Sequence, residues 1–268
     1  MIILFTKEEL IKQLEEMNAP KNSVVLMHTS LKAIGETEGR AEGLLETLIE
    51  YFTADGGLFL IPTHTWSNLK NPDKITMDVK SDESCIGVFP SVALRHPSGV
   101  RSLHPTHSMV VFGDRKKAEE YVKGEENITT STSGKGCYGK LYDYDGYVFL
   151  VGVGQERNTY IHSVEEMLDV PFRLSEKAVR TTIKLENGET VERFIHHHDG
   201  IPHISERYVK YEPALRHFGI VKDGKLGNAD TMLISAKKIY DVVKLIREHS
   251  GGAELMSDFE PLDEALYK

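Results

Sequence analysis

A histidine and a glutamate stand in the pattern Thr159-x-x-His162-x-x-Glu165, shortly after a strongly apolar segment. Residues three positions apart lie on one face of a helix, so the two side chains point in the same direction. A carboxylate beside an imidazole raises the basicity of the ring and fixes its tautomer. The pattern therefore indicates a general base without an attached nucleophile. An exposed ion pair on a helix surface has the same spacing and remains an alternative.

Three further segments place hydroxyl, imidazole or guanidinium groups where predicted strands begin or end. They are residues 27–35, Pro62-Thr63-His64-Thr65, and Arg101-Ser102-Leu103-His104-Pro105 with Ser108. Arginine and hydroxyl groups suit contacts with phosphates or carbonyl oxygens, and free backbone N–H groups bind anions. Each segment alone is compatible with an ordinary polar loop. Together they predict a ligand-binding edge, since α/β sheets bind ligands at the carboxyl ends of their strands.

The elements that must position these residues follow from the apolar pattern. Short apolar runs predict strands at 23–28, 58–61, 108–112 and 147–153, with amphipathic helices between them. Thr6-x-x-Glu9 is a capping box, and Asn158 and Ser235 are candidate N-caps. Asn187-Gly188 predicts a hairpin, and Asp223-Gly224 predicts a second turn. The fold class is α/β, with a central mixed, largely parallel sheet flanked by helices and an antiparallel hairpin addition.

Composition narrows the class of protein. The chain has 268 residues and a net charge of −9, and 40% of its residues are hydrophobic. We expect one domain, residues 1–268, in which residues 251–268 form an acidic tail. No apolar run approaches the ~20 residues of a membrane span, and an acidic surface argues against nucleic acid. The N-terminus shows no secretion signal, and two cysteines cannot build a disulfide framework, so we expect a cytoplasmic protein.

A run of histidines suggests a possible metal-binding site. His196-His197-His198-Asp199, with His203 nearby, resembles a set of metal ligands, but successive side chains of a strand point to opposite faces. We therefore expect no metal. A metal-dependent hydrolase that uses this segment with His104, His107 and His162 remains an alternative, as does a non-catalytic coenzyme A-binding protein. The two cysteines, Cys85 and Cys137, are expected to be packed residues rather than acyl-accepting nucleophiles.

Five motifs occur in the same order and at similar spacing as in the aminoglycoside N3-acetyltransferase family. They are residues 30–35, Pro62-Thr63-His64, Arg101-Ser102-x-His104-Pro105-x-x-Ser108, Gly139-Lys140-Leu141 and Thr159-x-x-His162-x-x-Glu165. The resemblance covers about residues 5–250. It implies the antibiotic N-acetyltransferase fold and acetyl-coenzyme A as the acetyl donor. The chain departs from the family pattern at Arg40, at Cys137-Tyr138 and at Val164.

The resemblance also implies roles for particular residues. His162 would be the general base and Glu165 its partner. The coenzyme would be bound by Ser30, Leu31, Lys32, Ala33, Ile34, Gly35, Arg101, Ser102 and Ser108. Thr63, His64 and Asp199 are candidate contacts for the acceptor. The implied reaction is direct transfer of an acetyl group, within a ternary complex, to an amino group of an aminoglycoside or a similar polyamine sugar. Antibiotic resistance is associated with the family, although acetyl transfer does not by itself imply it, and a homodimer is compatible with the resemblance.

Overall fold

The computed structural model describes residues 4–71, 73–198, 203–256 and 261–268. Its strands are β1 (Leu4–Phe5), β2 (Val24–Thr29), β3 (Glu36–Thr37), β4 (Leu58–Pro62), β5 (Met77–Asp78), β6 (Val100–Arg101), β7 (Met109–Phe112), β8 (Tyr147–Val151), β9 (Val179–Lys184), β10 (Thr190–Ile195), β11 (Val221–Leu226) and β12 (Ala229–Ser235). Its α-helices are α1 (Lys7–Glu16), α2 (Leu31–Ile34), α3 (Arg40–Thr53), α4 (Val88–Arg95), α5 (Arg115–Val122), α6 (Lys140–Asp143), α7 (Thr159–Met167), α8 (Ile204–Arg207), α9 (Glu212–His217) and α10 (Ala236–Ser250).

A seven-stranded sheet in the order β11-β12-β8-β2-β4-β7-β6 forms the centre of the fold. The three middle strands, β8, β2 and β4, are mutually parallel, and every other pairing in this sheet is antiparallel. The predicted mixed sheet is thus confirmed, while its parallel part is confined to the middle. The outer strands belong to the antiparallel pairs β6–β7 and β11–β12, and antiparallel pairs need no crossover helix.

The middle strands are buried on both faces. Leu26, Leu60 and Leu150 belong to one hydrophobic cluster, which includes residues of α7 and α10. The adjacent positions, such as Phe59 and Phe149, belong to a second cluster with residues of α1, α3 and α4. Since successive side chains of a strand point to opposite faces, the two clusters lie on the two sides of one sheet. This explains why these strands are continuous apolar runs in the sequence.

The predicted starts of three helices are confirmed, but only one of the three predicted N-cap side chains caps its helix. Thr6 and Glu9 form the predicted capping box at the start of α1. α7 and α10 begin directly after Asn158 and Ser235, but neither side chain caps its helix. The Asn158 amide instead donates to Gln155 Oε1 at 2.9 Å. That bond holds Asn158 on the preceding 3-10 turn and away from the helix N–H groups.

One predicted turn is confirmed and the other is wrong. Asn187-Gly188 joins β9 to β10, and this hairpin pairs with β5 in a separate three-stranded sheet. Asp223 and Gly224, by contrast, lie inside β11, where Gly224 pairs with Thr231 of β12. A Cβ at position 224 would collide with the Met17 sulfur. Glycine therefore serves close packing there, and the chain turns instead at Gly227, whose φ is +59°.

No helix within the described ranges combines the length and the apolar character needed to cross a membrane.

Candidate active site

The carboxyl ends of β2, β4 and β8 meet at one edge of the sheet, where a cavity of about 630 Å³ opens. Residues at the ends of these strands, together with the segments that follow them and α8, supply its polar lining. The lining includes His28, Thr29, Pro62, His64, Trp66, Cys85, His107, Glu156, Arg157, Asn158, Thr159, His162 and Ser205. The predicted binding edge therefore coincides with a cavity, and His162 lies in its wall.

His162 is held at both ring nitrogens. Nε2 lies 2.9 Å from Ser205 Oγ, and Nδ1 lies 2.7 Å from the Tyr208 hydroxyl. The predicted carboxylate partner, Glu165, has its Oε2 atom 3.8 Å from Nδ1, which exceeds hydrogen-bond distance. Residues from α8 and the following 3-10 turn (Tyr208–Tyr211) thus complete a site that begins on α7.

Glu165 is buried and carries two strong hydrogen bonds. Arg173 Nη2 lies 2.5 Å from its Oε1 atom, and the Tyr208 hydroxyl lies 2.5 Å from its Oε2 atom. Only 1% of Glu165 is exposed, so the alternative of an exposed ion pair on the helix surface is wrong. Burial raises the pKa of Glu165 to about 7, although Arg173 and the Tyr208 hydroxyl favour the charged form.

The imidazole of His162 is neutral. Burial lowers the pKa of His162 well below its ordinary value, and the nearby His198, Arg173 and His64 lower it further. The ring of His198 stacks on that of His162, with centroids 4.1 Å apart and an angle of 11° between the planes. The prediction that Glu165 makes His162 more basic therefore fails, because burial outweighs a carboxylate that lies beyond hydrogen-bond distance.

Glu166, the residue after Glu165, ties the site to a neighbouring loop. Its Oε1 atom accepts from the Thr132 N–H at 2.9 Å and lies 2.9 Å from His198 Nε2. Its Oε2 atom accepts from the Thr130 hydroxyl at 2.5 Å. Through these contacts Glu166 anchors the histidine that stacks on His162.

The predicted coenzyme residues fall into two groups. Residues 30–35 follow β2 at the edge that bears the cavity, and the Ser30 hydroxyl accepts from the Ala33 N–H at 3.3 Å. Lys32 and Gly35 are exposed, and Ser30, Leu31 and Ala33 are half-buried. Ile34 lies in the second hydrophobic cluster with no exposed surface, so its side chain has no access to a ligand.

The second group lies inside the fold. Ser102 and Ser108 are fully buried, as is the neighbouring Thr63, a predicted acceptor contact, and Arg101 is half-buried. The Ser108 hydroxyl donates to the Thr63 carbonyl at 2.9 Å, and Ser102 Oγ accepts from the Met109 N–H at 3.1 Å. Arg101 Nε donates to Ser108 Oγ at 3.3 Å. Ser102 and Ser108 brace β4, β6 and β7 through bonds to backbone atoms. Arg101 Nη1 donates to the Asp78 carbonyl at 3.3 Å, while its Nη2 is buried without a hydrogen-bond partner among the described residues. The structure does not bring these residues into the cavity.

The predicted acceptor contacts differ from one another. His64 lines the cavity, its Nε2 atom lies 2.6 Å from the Tyr138 hydroxyl, and burial lowers its pKa to about 3. Tyr138, a departure from the family pattern, thus fixes the orientation of a cavity histidine. Thr63 is internal, as described above, and Asp199 lies outside the described residues.

The histidines of the 196–198 segment have separate partners. His196 Nδ1 lies 2.7 Å from the Ser175 carbonyl oxygen, and His198 faces Glu166. Within the ranges that the structure describes, no three His, Cys, Asp or Glu side chains are grouped so that they could hold a metal ion. The segment therefore lends no support to the metal-dependent hydrolase.

Three residues of the site gave no signal in the sequence. Tyr208, Ser205 and Arg173 are 46, 43 and 8 residues away from the side chains that they contact. No local spacing connects residues so far apart. A buried tyrosine hydroxyl needs a partner, but the sequence does not say which one.

Comparison with known proteins identifies the class. Residues 26–246 match the model of the aminoglycoside 3-N-acetyltransferase family. The chain therefore belongs to this family and is an enzyme of this type, as the motif order predicted.

Particular relatives agree along most of the chain. The aminoglycoside N(3)-acetyltransferase IV of Salmonella sp is 27% identical, over 96% of each sequence. A mutant of aminoglycoside acetyltransferase AAC(3)-IVa in complex with apramycin has a TM-score of 0.77 and 23% identity, covering 98% of this chain and 99% of that one. AAC-IIIb bound to CoASH also has a TM-score of 0.77, with 18% identity, covering 92% and 98%. These structures confirm the predicted fold.

Proposed function

We propose that the protein transfers an acetyl group from acetyl-coenzyme A to an amino group of an aminoglycoside or a similar polyamine sugar, with His162 as the general base. One observation carries this proposal: a neutral imidazole lies in the wall of the cavity, with one ring nitrogen bound to Tyr208 and the other next to the cavity residue Ser205. The complexes of structural relatives with apramycin and with CoASH support the two substrate classes.

The reaction requires one proton acceptor. The amine nitrogen forms a bond with the acetyl carbon, while His162 Nε2 accepts a proton from that nitrogen. The bond between the acetyl carbon and the coenzyme sulfur breaks, and the imidazolium returns the proton to the thiolate. Ser205 Oγ lies at 2.9 Å from Nε2 in the free protein, so the acceptor amine displaces this hydroxyl when it binds. No acyl-enzyme is needed.

Two unpaired polar groups are suited to binding the reacting substrates. His28 Nε2 and Thr29 Oγ1 are buried without a hydrogen-bond partner among the described residues, and both side chains line the cavity. Burial lowers the pKa of His28 to about 3, so its imidazole is neutral and can donate a hydrogen bond. We propose that these groups bind substrate oxygens, including the oxyanion that develops on the acetyl carbonyl.

The two substrates have different charges, and the lining offers a group for each. Glu156 in the cavity wall suits a cationic sugar, and Asp199 remains a proposed acceptor contact. Arg157 in the wall and Lys32 on the exposed part of the β2–α2 connection suit the phosphates of the coenzyme. Residues 30–35 are thus a proposed coenzyme contact.

The remaining proposals concern the whole chain. We propose that residues 1–268 form one acetyltransferase domain, because both hydrophobic clusters pack on the same sheet. A cytoplasmic location, no metal, no nucleic acid or membrane partner, and a homodimeric assembly are proposed with it. An acidic chain with a net charge of −9 supports the exclusion of nucleic acid.

A thiol-release assay tests the function. The protein is mixed with acetyl-coenzyme A and, in turn, with aminoglycosides and simple amines. We expect release of the coenzyme thiol with an aminoglycoside. His162→Ala should lower kcat by about 10²–10⁴-fold, with little change in KM for acetyl-coenzyme A. A folded His162→Ala protein with wild-type kcat would falsify the assignment of the base, and no turnover with any amine would overturn the proposed function.

A further inference from the structure

We propose that Tyr208 is a positioning residue that connects Glu165 to His162 and fixes the proton of His162 on Nδ1. This inference rests on the proposed function of His162 as a base. It differs from the pairing predicted from the sequence, in which the carboxylate contacts the imidazole directly. The Glu165 and His162 side chains are 3.8 Å apart at their nearest nitrogen and oxygen atoms, and the Tyr208 hydroxyl contacts both.

The Tyr208 hydroxyl has one proton to share between Glu165 and His162, and this determines the direction of its two hydrogen bonds. A tyrosine hydroxyl has one proton to donate and lone pairs to accept with. Arg173 donates to the other oxygen of Glu165 at 2.5 Å, which favours a carboxylate that accepts hydrogen bonds only. The Tyr208 proton therefore goes to Glu165, and the Tyr208 oxygen accepts the proton carried by His162 Nδ1.

This arrangement determines which ring nitrogen acts as the base. A neutral imidazole carries one proton, so a proton on Nδ1 leaves the lone pair on Nε2. Nε2 is the nitrogen beside Ser205, which lines the cavity. In this tautomer the Ser205 hydroxyl donates to Nε2 in the free protein. The other tautomer would direct an N–H at the incoming amine and could not accept its proton.

The residues that form this chain of hydrogen bonds are buried, so solvent does not reach them. Tyr208 has no exposed surface, Glu165 is 1% exposed and Arg173 is 5% exposed. Hydrogen bonds in such surroundings hold their partners in one geometry, because water does not compete for them. Tyr208 thus forms a rigid link between the Glu165 carboxylate and the His162 imidazole.

A neighbouring tyrosine offers a matched control. Tyr211 is also fully buried and lies in the same 3-10 turn, with its ring 6.3 Å from that of Tyr208. Its hydroxyl contacts Glu254 Oε1 at 3.2 Å. Tyr211→Phe removes a buried hydroxyl from the same turn, while the link between Glu165 and His162 stays in place.

The test measures the tautomer directly by NMR of protein with ¹⁵N-labelled histidine, with the His162 signals assigned by comparison with His162→Ala. In the wild type we expect the proton on Nδ1. In Tyr208→Phe we expect the Nδ1 tautomer to be lost or mixed with the Nε2 tautomer, while Tyr211→Phe keeps the wild-type pattern. In parallel, kcat for acetyl transfer should fall about tenfold or more in Tyr208→Phe alone, with both KM values unchanged.

A wild-type His162 protonated on Nε2 would overturn the proposal, and so would a Tyr208→Phe protein that keeps both the Nδ1 tautomer and its kcat. The wild-type spectrum needs no substitution, so it decides the matter even where Tyr208→Phe does not fold. It also needs no turnover. A protein that has the Nδ1 tautomer but acetylates no amine would contradict the proposed function and leave the link intact.

Discussion

At the scale of single residues, the structure differs from the direct pairing of His162 with Glu165 that the sequence predicts. His162 is neutral because it is buried, and the charge of Glu165 reaches it through a hydroxyl. Arg173, Arg247, Glu254 and Tyr208 all affect the titration of Glu165. The pKa of about 7 that results for this carboxyl places its titration, and not that of His162, in the neutral range.

The pH dependence of kcat should therefore report on Glu165. Below about pH 7 the carboxylate becomes protonated and no longer holds the Tyr208 proton, so we expect kcat to fall as the pH decreases. His162 has a pKa well below 6.5 and becomes charged only at lower pH. In Glu165→Gln, which cannot titrate, kcat should be lower than in the wild type above about pH 7, and its acidic limb should move to lower pH.

The measurement is a pH–rate profile of the wild type and Glu165→Gln in the same buffers. Glu206→Gln is a suitable control, because Glu206 is an exposed carboxylate on α8, close to Ser205 in the sequence. An acidic limb at the same pH in wild type and Glu165→Gln would show that another group controls it.

Ser205 and the cysteines provide a test of direct transfer. Ser205→Ala, Cys85→Ser and Cys137→Ser should each retain most of the activity, since a ternary complex needs no acyl-enzyme. Burial raises the pKa of the Cys137 thiol well above its ordinary value, which makes it a poor nucleophile. Incubation with labelled acetyl-coenzyme A, followed by mass spectrometry of the intact protein, checks this. A stable acetyl group on Ser205 or either cysteine would replace direct transfer with a two-step mechanism.

At the scale of the secondary structure elements, the loop that leads into β7 illustrates how polar residues stabilise a strand edge. Ser108 is fully buried, contacts Thr63 and accepts a hydrogen bond from Arg101. We predict that Ser108→Ala lowers the free energy of unfolding by about 1–3 kcal/mol, because it leaves buried groups without partners. KM for acetyl-coenzyme A should remain within about twofold of the wild type.

Denaturant unfolding of Ser108→Ala measures its free energy of unfolding, and steady-state kinetics measure its KM for acetyl-coenzyme A. Lys32→Ala is the contrasting variant, since Lys32 is exposed on the connection proposed to contact the coenzyme. It should raise KM for acetyl-coenzyme A with no loss of stability. The reverse pattern, a raised KM in Ser108→Ala with unchanged stability, would restore Ser108 to the coenzyme site.

At the scale of the whole molecule, binding of coenzyme A should stabilise the fold. A ligand that binds only the folded state adds ~2.7 kcal/mol at a hundredfold excess over Kd. We expect coenzyme A to raise Tm in a saturable way and nicotinamide dinucleotides to leave it unchanged, since Arg157 occupies the place of a third glycine after Gly152-x-Gly154. Thermal unfolding at increasing concentrations of each compound checks this. No shift at millimolar coenzyme A would contradict the co-substrate assignment.

The sequence by itself determined the middle strands of the sheet, the family, and the helix that carries His162 and Glu165. The middle strands bury both faces, so they appear as apolar runs that need no tertiary information to locate. The order of five motifs along the chain was enough to identify the family. The spacing of His162 and Glu165 placed both residues on one helix, because helix geometry depends only on neighbouring positions.

Only the tertiary structure decided which polar groups face the cavity. Ser108 and His64 both stand near strand ends in the sequence, yet Ser108 is bonded to backbone inside the fold and His64 lines the cavity. Likewise, Tyr208 meets Glu165 across 43 residues of chain. Such contacts depend on how helices and strands pack against one another, and hydrogen bonds between distant residues leave no periodic pattern in the sequence.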